Sequence, residues 1–244
     1  MQEIRTLKQL DAAWNELKEE ILSRPLFPDN SGKAKAERKK KCENSVLEFA
    51  KTYFPDYVPS DFAKFHKEWE TIRNIEKEPV LLMAFRGSGK STYFTLLDPV
   101  HEIAYGKRNF MLFSSYNEEK SGRFTGRILA ELMYNQRLKN DFGDFIPGGK
   151  RPALDNFTAN VPLSGGKTVG VLAVSMGQDP RGFVHGPSRP DYVRLDDIPS
   201  RQRAKSRKFV KASIDWIMQD LIPALAGAYS CVIVATPLNT QCVA

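Results

Sequence analysis

From Val80 to Thr92 the chain passes from an apolar run (Val80–Ala84) through Phe85-Arg86-Gly87-Ser88-Gly89 to Lys90-Ser91-Thr92, where a helical pattern begins. An apolar run, a glycine turn and a helix start in immediate succession predict a strand–turn–helix unit. Such a turn makes a phosphate cradle. Its glycines let consecutive backbone N–H groups face an anion, and the helix N-terminus adds its positive dipole end. In the pattern G-x-x-x-x-G-K-[ST] the lysine reaches the β/γ-phosphates and the hydroxyl ligates magnesium. Here Ala84 stands at the first glycine. The cradle comprises Phe85, Arg86, Gly87, Ser88, Gly89, Lys90, Ser91 and Thr92.

The 244 residues suffice for one large domain, or a domain with an appendage, and 41% hydrophobic content suffices for a buried core. No segment reaches the roughly 18–20 apolar residues that span a bilayer, and the N-terminus opens on an amphipathic pattern instead of a signal-peptide core. Cys42, Cys231 and Cys242 are too widely spaced for a disulfide framework or a zinc site, which favours a reducing cytoplasm. The net charge of +7 is compatible with a polyanionic partner. The densest basic run, Lys33 to Lys41, reads as a solvated helix face or linker before a dedicated DNA contact.

Leu7, Leu10, Trp14, Leu17 and Ile21 recur at helical spacing, and Pro25 and Pro28 break the pattern. This predicts a helical N-terminal appendage over residues 1–58, with the core over 59–244. Within the core, strands are expected at Val80–Ala84, Asn109–Ser115, Tyr192–Leu195 and Tyr229–Ala235. Helices are expected from Gly89 towards Tyr105 and from Glu118 to Met133. The alternation of Phe157, Ala159, Val161 and Leu163, then Val169, Val171 and Ala173, predicts a β-hairpin. Val210, Ile214, Ile217, Leu221 and Leu225 form a last helical stripe, which Pro223 should kink or shorten. Strands alternating with helices give an α/β fold, a mostly parallel sheet between helix layers. Ligands of such sheets sit at the carboxyl ends of strands, where Arg86–Ser91, Asp196-Asp197 and Thr236 all fall.

A phosphoryl-transfer site needs a carboxylate holding magnesium, a group orienting the attacking water, and positive charge on the transferring group. Asp196, at a strand end, suits the metal; Asp197 suits the water, although Asp-Asp-Ile-Pro also suits a simple turn cap. Arg86 can clamp a γ-phosphate or form a structural ion pair. Thr236 can sense the γ-phosphate or merely end a strand. Arg194 interrupts a strand that should be apolar throughout.

Taken together, the chain resembles the ATPase domain of the large terminase subunit, the DNA-packaging motor of tailed bacteriophages. The resemblance rests on Ala84–Ser91, Gly-Gln-Asp-Pro-Arg-Gly at Gly177–Gly182, the segment Ser188–Pro199 and Ala235-Thr236-Pro237. It implies a P-loop NTPase fold of the ASCE type that hydrolyses ATP with Mg2+ to drive double-stranded DNA into a procapsid. By position, Lys90 and Ser91 bind phosphate and magnesium, and Arg86 is an internal arginine finger. Asp196 is the metal-side acid, Asp197 the catalytic acid where many members have Glu, and Thr236 the coupling residue. Phe65-His66-Lys67-Glu68-Trp69 is similar to a segment near adenine in these motors, or is core. Arg181 acts across a subunit interface or steadies its own loop. The resemblance also implies a portal protein and a small terminase subunit as partners. It further implies a homo-oligomeric ring when active (a monomer in isolation is allowed), no membrane, and a place in the host cytoplasm. No nuclease is expected from this chain. The alternatives are a helicase-like nucleic-acid-dependent ATPase and a non-motor nucleotide-binding protein. Arg201, Arg203 and Arg207 suit either an interface or DNA.

Overall fold

The computed structural model describes residues 7–58, 61–148, 151–198 and 203–236. The chain begins with α1 (Leu7–Leu22), α2 (Gly32–Cys42), α3 (Val46–Tyr53) and α4 (Lys64–Ile72). Serines start two of them: the Ser31 hydroxyl accepts from the Ala34 N–H and the Ser45 hydroxyl from the Glu48 N–H. The basic run lies on α2, and part of it is engaged internally. Arg38 forms a paired contact with Asp141, Lys41 pairs with Glu48, and the Lys35 ammonium donates to the Asn140 carbonyl.

The strands are β1 (Pro79–Met83), β2 (Phe110–Ser115), β3 (Asn156–Asn160), β4 (Thr168–Ser175), β5 (Tyr192–Asp196) and β6 (Ser230–Ala235). They form one sheet in the order β1-β6-β5-β2-β4-β3, with only the β3–β4 pair antiparallel. That pair is the expected hairpin, and it forms the sheet's outer edge. It is shorter than the alternation suggested: β3 stops at Asn160, Pro162 opens a turn, and Leu163 is exposed. β2 and β5 are buried along their whole length, which is why they read as nearly unbroken apolar runs. Strand β6 lies between β1, which leads into the glycine turn, and the acid-ended strand β5. A single strand thus separates the strand that leads into the glycine turn from the strand that ends in Asp196-Asp197.

Helices cover both faces. From the glycine turn, α5 (Lys90–Thr92) continues through a π-helical segment, Tyr93–Leu97, into α6 (Asp98–Ala104). With α7 (Glu118–Tyr134), α8 (Gln136–Phe142) and the N-terminal helices it covers one face. Trp14, Ile21, Phe49 and Tyr53 share one continuous hydrophobic core with Phe94, Leu129, Phe142 and Phe113 of the sheet. The other face packs Leu112, Val193, Leu195 and Ile233 against Trp216, Ile217 and Leu221, which follow α9 (Arg207–Asp215). The expected apolar stripe holds in its second half and fails in its first. Ile217, Leu221 and Leu225 are buried as the stripe requires, whereas Val210 is half-buried, Ile214 is exposed and Trp216 is buried beside them; the helix takes π geometry over Trp216–Leu221. It ends in the 3-10 turn Ile222–Ala224, where Pro223 breaks the pattern.

Arg194 of β5 is fully buried, and its interruption of the strand has a structural cause. Its guanidinium stacks 3.7 Å from the Tyr192 ring centroid and donates to Asp98 at 2.8 Å. Asp98, at the start of α6, also accepts from Arg73 at 2.5 Å and from the Tyr192 hydroxyl at 2.7 Å. Burial alone would raise the Asp98 carboxyl, but Arg73 and Arg194 outweigh it and hold it below its ordinary value. A buried carboxylate between two guanidinium groups ties the cradle's helix to the acid-bearing strand.

Candidate active site

At the carboxyl end of β1 the Ala84 N–H still bonds to the Ala235 carbonyl at 3.1 Å, so the loop leaves the sheet after Ala84. Ala84 is not among the residues with positive φ, and alanine therefore fits where the common pattern has glycine. Gly87 (φ 86°) and Gly89 (φ 81°) do occupy the left-handed region, which a side chain would strain. The Ser88 N–H turns back to the Phe85 carbonyl at 3.3 Å, and the Tyr93 N–H bonds to the Gly89 carbonyl at 2.9 Å to begin the helix. The helix start therefore opens on the loop. The Lys90 side chain is largely buried, with its ammonium 3.5 Å from the Phe85 carbonyl. Arg86 and Phe85 are exposed, and Arg86 makes no ion pair among the described residues.

The outer wall of this loop is α4. The His66 ring reaches the Ser88 carbonyl at 2.9 Å, and the Phe65 ring lies 5.6 Å from that of Phe85. Trp69 is 3% exposed, as a core residue would be. The Phe65–Trp69 segment thus serves both as core and as the loop's support.

Register brings the remaining candidates to the same carboxyl end of the sheet. Met83 of β1 pairs with Ala235 of β6, and Val234 pairs with Asp196 of β5. Thr236 therefore emerges beside the start of the loop, and Asp196 one strand further. Asp196 is 1% exposed; the Ser115 hydroxyl bonds to its backbone carbonyl at 2.9 Å. Burial, then the adjacent Asp197 charge, pushes the Asp196 carboxyl up; Lys120, the Ser91 hydroxyl and Lys90 oppose the shift. One of its oxygens, Oδ1, is buried without a hydrogen-bond partner among the described residues.

Asp197 has a positive φ of 56°, uncommon for a residue other than glycine and strained. Its N–H bonds to the Val234 carbonyl at 3.3 Å, which keeps the turn against β6. Its half-exposed carboxylate pairs with the Lys120 ammonium. Lys120 lies in the first turn of α7, started by the Asn117 side chain, and its ammonium sits 5.5 Å from the Tyr116 ring centroid. Reading the sequence missed Lys120. A usable signal existed, because α7 begins just beyond the carboxyl end of β2, and first-turn residues there face the site.

Arg181 is exposed and pairs with Asp179 of its own turn at 2.9 Å. The side chains of Arg201 and Arg203, together with Pro237, lie outside the described residues.

The donor set fits a magnesium–phosphate group. Magnesium takes one or two protein oxygens and completes its shell with water and substrate phosphate. A buried, unpartnered carboxylate oxygen acted on by a cradle hydroxyl supplies that minimum. Among the described residues no cluster of three or more His, Cys, Asp or Glu side chains offers an all-protein metal cage. Nor is any helix among them long and apolar enough to cross a membrane.

No protein-family description and no curated protein matches the chain. Among solved structures it is similar to the large terminase of bacteriophage HK97, at 14% identity and a TM-score of 0.49 over 80% of this chain. It is also similar to an arginine-to-alanine mutant of the large terminase ATPase domain from Thermus phage P74-26. There the identity is 16% and the TM-score 0.45, over 77% of this chain and 71% of that one. The chain spans 37% of the HK97 protein's length. These likenesses concern overall architecture and assign no residue a role.

Proposed function

We propose that the chain is the ATPase motor domain of a large terminase, hydrolysing Mg-ATP to move double-stranded DNA into a procapsid. One observation carries the hydrolase reading: the glycine turn, buried Asp196 and strained Asp197 lie together at the carboxyl ends of β1, β6 and β5. In this reading the N–H groups of Gly87–Ser91 surround the phosphates, and Lys90 reaches the β/γ-phosphates. Ser91 and Asp196 hold magnesium, which when bound neutralises charge on the phosphate oxygens. Asp197 orients the attacking water, Arg86 supplies charge to the transferring group, and Thr236 couples the site to the rest of the motor. Lys90→Ala tests the core of this reading. It should abolish nucleotide binding and turnover in a coupled ATPase assay, and undiminished hydrolysis would end the cradle assignment.

A second contrast supports DNA as the partner. Lys205, Arg207, Lys208 and Lys211 are exposed on and just before α9, with no ion pair among the described residues. The basic run on α2, by comparison, spends Arg38 and Lys41 on internal pairs. α9 follows the Asp196-Asp197 strand, and the Trp216 indole just after it donates to the Gln178 carbonyl at 2.8 Å. Cations that neutralise DNA phosphates give log K a slope of about −0.9 per contact against log salt. A Lys205→Ala/Lys208→Ala/Lys211→Ala variant should flatten that slope for a labelled duplex. Lys33→Ala/Lys40→Ala should leave it unchanged. Preference for single strands over duplex would favour the helicase-like alternative. Ring assembly and docking on a portal belong to the same proposal.

A further inference from the structure

We infer that His66 is a positioning residue of the phosphate loop, holding the Ser88 carbonyl outward so that the loop's N–H groups face inward. The inference rests on the cradle reading above. Its basis is a pair of contacts on one ring. The Ala63 N–H points at His66 Nδ1 at 3.0 Å, and an N–H can only donate. Nδ1 must therefore be the acceptor, which puts the ring hydrogen on Nε2. That nitrogen lies 2.9 Å from the Ser88 carbonyl oxygen, which can only accept. Both contacts are satisfied by one neutral tautomer and by no other.

The place of the contact matters more than its strength. Ser88 lies between Gly87 and Gly89, the two left-handed glycines on which the loop's curvature depends. A peptide unit between two such residues has few steric restraints of its own and can rotate. If the Ser88 carbonyl turned inward, it would present an acceptor to an anion and remove the following N–H from the cradle. A hydrogen bond from a fixed donor opposes that rotation. A Cβ built on Gly89 would lie 3.8 Å from His66 Nε2, so the ring sits directly against the loop.

The donor is itself fixed. His66 is boxed by Phe62 (5.3 Å), Phe65 (4.2 Å) and Trp69 (4.7 Å) between ring centroids. α4 is anchored at its far side by Glu70, which accepts from the Ser45 hydroxyl at 2.8 Å and the Leu47 N–H at 3.0 Å of α3. The helical N-terminal region therefore reaches the nucleotide cradle through α4.

The two nitrogens can be tested separately. In His66→Gln the amide nitrogen takes the place of Nε2 and keeps the donor to Ser88. In His66→Asn the amide oxygen takes the place of Nδ1 and keeps the acceptor for Ala63, while the donor is lost. Affinity for a fluorescent mant-ADP with magnesium, KM and kcat for ATP, and the thermal midpoint would be measured for both, for His66→Ala and for wild type. His66→Asn should weaken nucleotide binding about tenfold, the usual scale for one hydrogen bond. The loss should appear in KM, with kcat within about twofold and the thermal midpoint held. His66→Gln should recover most of the affinity despite losing the Ala63 contact. Equal affinity for the Gln and Asn variants, or wild-type affinity for His66→Ala, would overturn the inference while leaving the cradle intact. Lys90→Ala separates the two readings: wild-type binding that survives it, or a wild type that binds no nucleotide, removes the cradle and the role of His66 together.

Discussion

Asp196 and Asp197 are chemically identical neighbours, and the fold treats them in opposite ways. Asp196 ends a central strand, 1% exposed, with one carboxylate oxygen unpartnered among the described residues. Asp197 turns out of the sheet through a left-handed backbone conformation, and its carboxylate meets a lysine in half-open surroundings. The first is a costly charge whose unpartnered oxygen a cation or a proton would satisfy. The second is a half-exposed charge, paired with one lysine and open to solvent on its other side. One peptide bond separates a group suited to holding a metal from a group suited to acting on a nucleophile.

The widest test of that division is in turnover. Asp197→Asn keeps the size and polarity of the side chain but loses its capacity to accept a proton. Loss of a general base costs about 10²–10⁴-fold in rate. ATP hydrolysis should fall by that order, with mant-ADP affinity within about threefold of wild type. Asp196→Asn should behave differently, lowering turnover and also abolishing the magnesium dependence of nucleotide affinity. If the two variants gave the same profile, the separate roles would collapse into one.

The division between these residues was partly legible in the amino-acid sequence. Asp196-Asp197 follows an apolar run, and the glycines of the loop carry their backbone requirement locally, so both announce themselves within a few positions. The strand–helix alternation was legible for the same reason, being written in short-range periodicity. What was hidden is what each group meets. Lys120 reaches Asp197 from another element, His66 reaches Ser88 from the helix that precedes β1, and Asp98 neutralises Arg194 from the helical segment that follows the glycine turn. Such pairs depend on the strand order, and no periodicity encodes them. The π-helical turn at Trp216–Leu221 was hidden too, because Ile217, Leu221 and Leu225 keep the spacing of a regular helix through it.

A smaller effect, of opposite sign to the functional loss, is expected in stability. Burial raises the Asp196 carboxyl above its unfolded value, so the folded state holds the proton more tightly. Stability from this group is therefore full below the unfolded carboxylate pKa and declines as pH rises through the shifted value. At neutral pH the ionised group is a net cost to the apo fold. Asp196→Asn should raise the thermal midpoint at pH 7, by about 2–4 °C for each kcal/mol relieved at this chain length. The gain should vanish in acid, where wild-type Asp196 is protonated. Asp197→Asn should not stabilise at pH 7, since its carboxylate is half exposed and already paired. A destabilised Asp196→Asn would show that the buried carboxylate is compensated by the fold itself and is not reserved for a cation.

The smallest expected effect concerns the lysine that distinguishes the two acids. Lys120 pairs with Asp197 directly and acts on Asp196 only through its charge. Holding the Asp197 carboxylate competes with that group's binding of a water, so Lys120→Met should raise basal hydrolysis. Partly exposed ion pairs are worth ~0.2–1 kcal/mol, which limits the gain to about fivefold. Removing the cation also deprives Asp196 of one of the charges that lower its pKa, so the pH at which nucleotide affinity becomes magnesium-dependent should move upward. A titration of mant-ADP affinity with magnesium across pH would read that movement, and single-turnover hydrolysis would read the first effect. Slower hydrolysis in Lys120→Met would reverse the assignment, making the lysine a part of the catalytic charge array instead of a restraint upon Asp197.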